Sequence, residues 1–373
     1  MITIIGAGAA GNYAAYLLAG KGFDVQVFEA NDTIGLPIAC TGILTSHFDT
    51  LVEPRKEFVA NEVERARIYA PNDEFAEVKF SHPNKIFHRN LLDQHVAKMA
   101  ADAGAKYYLG HVYMGNSSGK EGEESSRTVK IKNLRTEEEF ETETKLLVGA
   151  DGPASRVAKN NGLYGNRILF TGLQATAKLE NDNIIDFYPS EEGIAWVVPE
   201  SKDKIRIGIA GLKNPGGYFN AFCTKILGED YKEKLIAKQA GPIPLYNPRI
   251  KTQNKEKDVL IVGDAATMVK ATTLGGIMQS HIAAKALAES ITERKSYEKE
   301  WRKQLGKDLW LHLMMRKAMD KFRAEDYNRL IGIFRKERNR RILEQHDRDF
   351  PTKFIAKLVL AEPKLLGFAR FIV

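Results

Sequence analysis

Cysteine is scarce in this chain. Cys40 and Cys223 are the only two, far apart and without metal-ligand spacing, so the sequence offers neither a disulfide framework nor a metal centre. A reducing cytoplasm is the expected compartment. Long hydrophobic runs are also missing, and no apolar stretch reaches the length needed to cross a bilayer. There is no internal repeat, and low complexity is confined to an acidic, serine-bearing stretch at 115–126. An apolar run begins at Ile2, which leaves no room for a basic and apolar leader, so no secretory segment is expected. Hydrophobic residues at 43% and charged residues at 28% match a folded chain and not a disordered one. At 373 residues the length suits an open α/β domain with a second, inserted domain.

The net charge of +7 is placed unevenly. Residues 294–373 carry 21 Lys and Arg against 11 Asp and Glu, leaving 34 against 37 in the rest of the chain. A basic end can face anionic lipid or form the solvated face of surface helices, and both readings stay open. The Arg-rich stretch 335–341 belongs to no recognisable nucleic-acid module, so no nucleic-acid partner is expected.

Periodicity outlines the architecture. Residues 2–5 read as a strand before a glycine loop, 12–21 as a helix, and 24–28 as a second strand, a β-α-β unit. Residues 30–50 read as a loop, 65–69 and 74–80 as strands, and 89–103 as a helix with Leu91, Leu92, Val96 and Met99 in one stripe. Residues 106–109 and 128–133 form a hairpin region around the low-complexity tip, and 146–149 returns as a buried strand. From 167 to 211 short strands alternate with turns, the pattern of an antiparallel sheet. A strand at 259–262, a helix at 276–291 and three or four basic helices complete the chain.

The chemistry is concentrated in glycine-rich and acidic motifs. Gly6-Ala7-Gly8-Ala9-Ala10-Gly11 follows a strand and opens a helix, so the backbone can turn tightly and offer the helix N-terminus to a pyrophosphate. Glu29, 18 residues after Gly11 at the end of the second strand, can accept hydrogen bonds from ribose hydroxyls and disfavours a 2′-phosphate, pointing to FAD or NAD. Two more segments separate these: Gly149-Ala150-Asp151-Gly152 with Ser155, and Gly263-Asp264-Ala265-Ala266 followed by Gly275-Gly276-Ile277. Singly, each Asp–Gly pair is an ordinary turn signal. In this order, the acids can hold ribityl or ribose hydroxyls, and the helix opened by Gly275 to Ile277 can direct its positive end at a flavin pyrimidine edge.

With Arg89, these motifs resemble the hydroxylase-type flavoprotein superfamily. Within it the chain looks most like the geranylgeranyl reductase family, on three segments: Gly35-Leu36-Pro37-Ile38-Ala39-Cys40-Thr41-Gly42; Tyr188-Pro189 with Ala195-Trp196-Val197-Val198-Pro199; and Lys270-Ala271-Thr272-Thr273-Leu274-Gly275-Gly276-Ile277. The match runs from residue 2 to about 290. It departs from the family pattern at Ile194, usually aromatic, at Ala271, usually proline, and at Thr267 and Leu274, usually glycine.

The resemblance implies a Rossmann-like FAD-binding domain (1–165 plus 250–290) with an inserted antiparallel-sheet substrate domain (166–249) that strands near 62–85 can join, and basic C-terminal helices (291–373). It implies FAD as cofactor, held by Gly6, Gly8, Ala9, Ala10, Gly11, Glu29, Ala30, Cys40, Arg89, Asp151, Gly152, Gly263, Asp264, Gly275, Gly276 and Ile277. Cys40 is the implied catalytic residue, beside the flavin, where it can orient or protonate an alkene. Tyr188, Trp196 and Pro199 are the implied substrate-lining residues. The implied reaction is hydride transfer from reduced FAD to carbon–carbon double bonds of a prenyl lipid, in a tunnel that excludes water from a developing cation. With a single dinucleotide motif in the chain, the electron donor is either NAD(P)H or a ferredoxin. The stretch 353–373 interleaves Lys353, Lys357, Lys364 and Arg370 with apolar residues; it suits either peripheral contact with the inner face of the membrane or packing on the core. A flavin monooxygenase of the hydroxylase or halogenase kind, and a non-catalytic FAD- or lipid-binding protein, are the alternatives.

Overall fold

The computed structural model describes residues 1–117, 127–254 and 258–372; most of the low-complexity stretch, 118–126, lies outside them. A six-stranded sheet runs in the order Gln253–Asn254, Val259–Ile261, Leu146–Gly149, Ile2–Ile5, Val25–Glu29, Lys106–Leu109. All pairs are parallel except the one at the Gln253–Asn254 edge. Ile2–Ile5 is buried along its whole length, as a strand covered on both faces must be, which explains its unbroken apolar sequence. Helix Ala9–Ala19 packs on helix Ile277–Thr292 over this sheet. Both are dominated by small side chains that let the backbones approach.

A second sheet of eight strands is ordered Leu235–Pro244, Leu169–Lys178, Lys204–Gly211, Gly193–Ser201, Ile185–Ser190, Val59–Tyr69, Phe75–Phe87, Ile43–Leu44. It is antiparallel except where Ile185–Ser190 meets Val59–Tyr69. The strands near 65–80 are longer than the sequence suggests, because exposed charged residues such as Glu62, Glu64 and Lys79 interrupt the apolar alternation without ending the pairing. Lys106–Leu109 is not part of a hairpin: it edges the parallel sheet, while His111–Ser117, Arg127–Asn133 and Glu139–Thr144 form a separate three-stranded meander.

The C-terminal helices are not an appendage. Trp301, Leu305, Leu309 and Leu313 join the main core beneath the parallel sheet, and helix Ala324–Phe334 closes a satellite core of Ala318, Phe322, Tyr327, Ile333 and Phe368. The stretch after 350 is three short pieces, Pro351–Lys353, Ile355–Ala361 and Pro363–Phe371. Leu358 and Phe368 point into the protein, whereas Leu360 and Leu366 are 78% and 60% exposed. Among the described residues, no helix is long and apolar enough to cross a membrane.

Candidate active site

The site grows from the turn after the first strand. A Cβ on Gly11 would lie 1.9 Å from the Gly6 carbonyl oxygen, so only glycine allows the loop to fold onto its helix. At Gly8, by contrast, an added Cβ meets nothing within 4 Å: the loop faces open space at the N-terminus of Ala9–Ala19, as a cradle for a phosphate must. Asn12 fixes the loop from behind, donating to the Ala7 carbonyl at 2.7 Å and to the Asp93 carbonyl at 3.1 Å. Glu29 sits at the end of the second strand with Oε2 accepting from the Ala7 backbone N–H at 2.7 Å and Oε1 from Asn31. Its carboxylate is thereby aimed along the edge of the loop.

A cavity of about 290 Å³ opens between the two large sheets. Its wall brings together Gly8, Ala9, Ala10, Cys40, Arg89, Gly152, Trp196, Asp264, Gly275, Gly276 and Ile277 from the sequence reading. Gly6, Gly11 and Gly263 shape the turns behind it, whereas Glu29 and Ala30 are not part of its wall. Asp151 stays out of it: its carboxylate accepts from the Ser155 hydroxyl at 2.5 Å and from the Val157 N–H at 3.1 Å, which commits it to the start of helix Arg156–Asn160. Tyr188 and Pro199 do not reach the cavity either. Side chains alternate along a strand, so Phe187 and Trp196 face the cavity while Tyr188 stacks on Tyr69 at 4.5 Å on the opposite face and, with Pro199, borders a separate concavity.

The polar groups in the wall divide into tethered and free. Arg89 holds Asp93 through two contacts of 3.0 and 2.9 Å and also reaches the Cys40 sulfur. The Cys40 loop is tied to the large sheet by Gln174, whose Oε1 accepts from Thr41 Oγ1 at 2.6 Å and from Trp196 Nε1 at 3.0 Å. Arg206 completes that support, donating to the carbonyls of Thr41 and Phe87 at 2.6 and 2.8 Å. Asp264 is the exception: among the described residues its carboxylate has no hydrogen-bond partner, and burial raises its pKa to about 6 despite Arg89 and Arg167 nearby. An acid left unpaired against a cavity fits a ligand that brings its own hydroxyl donors.

Sequence reasoning missed several wall residues. Gln174 and Leu173 carry no motif. Residues 239–243 come from strand Leu235–Pro244, whose Gly241, Pro242 and Pro244 hid it. Arg348 and Asp349 lie in the unmatched C-terminal region, yet Asp349 forms a buried ion pair with Lys270. In the sequence Lys270 opens one of the family-like segments and Asp349 is an acid with no pattern around it, and nothing links the two. Thr267 and Leu274, two of the departures from the family pattern, both have positive φ, 57° and 55°, the conformation for which glycine is the usual choice.

The comparisons with known proteins agree with this geometry. A family profile for the NAD(P)-binding Rossmann-like domain matches residues 4–43. Digeranylgeranylglycerophospholipid reductase 2 of Methanopyrus kandleri is 25% identical over 99% of this chain and 98% of its own. Along nearly its whole length the chain is similar to digeranylgeranylglycerophospholipid reductases, a second of which, from Methanosarcina acetivorans, is 27% identical over 88% of this chain and 87% of its own. Its fold is shared with solved structures: a geranylgeranyl bacteriochlorophyll reductase-like protein of Thermoplasma acidophilum superposes with a TM-score of 0.82 at 20% identity, covering 100% of this chain and 98% of that one. The hydroxylase-type fold extends further, to aklavinone-11 hydroxylase in complex with FAD and aklavinone, at a TM-score of 0.63, 15% identity and coverage of 85% and 68%.

Proposed function

We propose that this protein is an FAD-dependent reductase that saturates carbon–carbon double bonds in geranylgeranyl or other polyprenyl chains of lipids. One observation carries the reading: the dinucleotide loop and an apolar, aromatic wall of Leu173, Phe187, Ile194, Trp196 and Ile243 line one and the same cavity. The residues fit FAD. Gly8 to Ala10 take the pyrophosphate, Glu29 and Ala30 the ribose, Asp264 and Gly152 the remaining hydroxyls, and Gly275 to Ile277 the pyrimidine edge. When bound and reduced, the flavin supplies hydride to the alkene.

The chain's own residues supply placement. The apolar wall orients the prenyl chain and keeps water from a developing tertiary cation. Arg89 and Gln174 fix the loop that presents Cys40, which touches the reacting end of the cavity and is the proposed catalytic residue. The electron donor is NAD(P)H or a ferredoxin. Peripheral contact with an anionic membrane through Leu360 and Leu366, flanked by Lys357 and Lys364, would let a lipid substrate enter from the bilayer.

The test is anaerobic. The purified protein is reduced with dithionite and mixed with geranylgeranyl lipids, and flavin reoxidation is followed beside product mass. Two hydrogens gained per saturated bond, matched to flavin reoxidation, are the expected result. A reduced flavin that persists with lipid but oxidises rapidly in air, consuming NAD(P)H, would replace the reductase with a monooxygenase.

A further inference from the structure

Leu274 holds a conformation that leucine avoids. Its φ is 55°, in the left-handed region where a Cβ crowds its own carbonyl, and such positions persist only where the surroundings enforce them. The loop around it does so: the Leu274 N–H donates to the Lys270 carbonyl at 2.8 Å, and the Lys270 N–H donates to the Gly275 carbonyl at 3.0 Å. Lys270 is itself anchored by its buried pair with Asp349. The backbone is therefore fixed in a turn that presents the residue-274 side chain to the cavity.

That side chain is not idle. It is 8% exposed and packs with Phe170, Ile194 and Ala210, against Phe187, Trp196 and Ile243. Four of these, Ile194, Phe187, Trp196 and Ile243, line the cavity with it. Leu274 thus bridges the 270–276 loop and the inner face of the eight-stranded sheet. A glycine in its place would satisfy the same turn without strain and leave that space open.

We propose that Leu274 is a specificity-determining residue: its side chain is the stop that sets how far an apolar chain can extend past the flavin end of the cavity. This rests on the prenyl-reductase reading above. A leucine side chain carries almost as many carbons as one isoprene unit, so its removal lengthens the channel by about that unit. Substrates for the unaltered protein are then those whose reacting bond lies close to the buried end of the chain or whose buried end is short.

The experiment measures binding, not turnover. Prenyl alcohols of two, three and four isoprene units are titrated by calorimetry into the flavin-loaded full chain and into Leu274→Gly and Leu274→Ala, with circular dichroism melts to verify folding. In the unaltered protein, affinity should rise with length and then level off. In both variants the plateau should move by one unit, with about tenfold or greater tightening for the longer alcohol, since every buried methylene adds to binding. Alanine keeps the backbone strain and loses the bulk, so a shift in Leu274→Gly alone would assign the effect to a relaxed loop and overturn the proposal. No shift in either folded variant would overturn it as well, leaving the reductase reading intact. If the unaltered protein binds none of the alcohols while holding flavin, the reductase reading fails and the stop fails with it.

Discussion

Asp264 enters the cavity as an acid that folding leaves poorly solvated and without a partner, and that cost is measurable. A carboxyl whose folded pKa is raised, here to about 6 mainly by burial, binds more protons folded than unfolded between the ordinary aspartate value and that point. Stability of the flavin-free protein therefore falls as pH rises through that window. Asp264→Asn should stabilise the flavin-free protein by up to about 3 kcal/mol at pH 7, a difference that vanishes below the ordinary aspartate range. The same change should weaken flavin binding by tenfold or more, because a free carboxylate is the stronger acceptor for ligand hydroxyls. Urea unfolding at both pH values and a flavin titration check the two halves separately; an asparagine that destabilises the flavin-free chain at neutral pH would show that Asp264 is structurally satisfied.

At the scale of elements, the segment 347–352 acts as a strap. Asp347 accepts from Thr45 Oγ1 at 2.6 Å, Asp349 pairs with Lys270, and Asp308 accepts from the Thr352 N–H at 2.8 Å and its hydroxyl at 2.7 Å. It thereby joins the Cys40 loop, the glycine loop at 270–276 and helix Lys307–Met319. Burial alone would raise the Asp349 carboxyl, but Lys270 and Arg348 outweigh it and hold the pKa below the usual range. Its contribution is present above the unfolded value and is lost as pH falls through the lowered one. Asp349→Asn should cost about 3–5 kcal/mol by leaving Lys270 buried and unpaired, whereas the joint Lys270→Met/Asp349→Leu change should be close to neutral. The joint variant should also lose less stability than the unaltered chain on acidification, as denaturant titrations across pH will register.

This strap was invisible in the sequence, since nothing local couples residues 79 positions apart. The first β-α-β unit was legible because its strand, glycine turn, helix and acid are consecutive, and each carries its own physical signature. Even there the helix begins at Ala9, earlier than periodicity suggested, because the glycine loop supplies its first turn. Along Ile185–Ser190 the family motif drew attention to Tyr188, while one step of alternation put Phe187 at the cavity; motif spacing gives a strand but not which face is wet.

For the whole molecule, the proposed function asks how the cavity would take up a lipid. The exposed Leu360 and Leu366 stand beside Lys357 and Lys364, all four exposed, while the neighbouring Phe368 is buried against Phe322. Membrane contact through such a patch rests on few apolar side chains and should depend on anionic lipid. Leu360→Asp/Leu366→Asp should abolish flotation with vesicles containing anionic lipid without lowering the melting temperature, because neither leucine is part of the core. Equal flotation of variant and unaltered protein would place the contact elsewhere on the molecule.

The wall of the cavity has a temporal consequence. The phosphate loop is complete once the first β-α-β unit has formed, but Thr45 is fastened by a residue 302 positions further along. At typical synthesis rates roughly 15–60 s separate the emergence of those two residues from a ribosome. During that interval the glycine loop exists without its strap, so the nascent chain should carry a dinucleotide cradle that is open on the side later closed by Asp347 and Asp349. On the proposed function, secure retention of flavin then awaits the emergence of the strap.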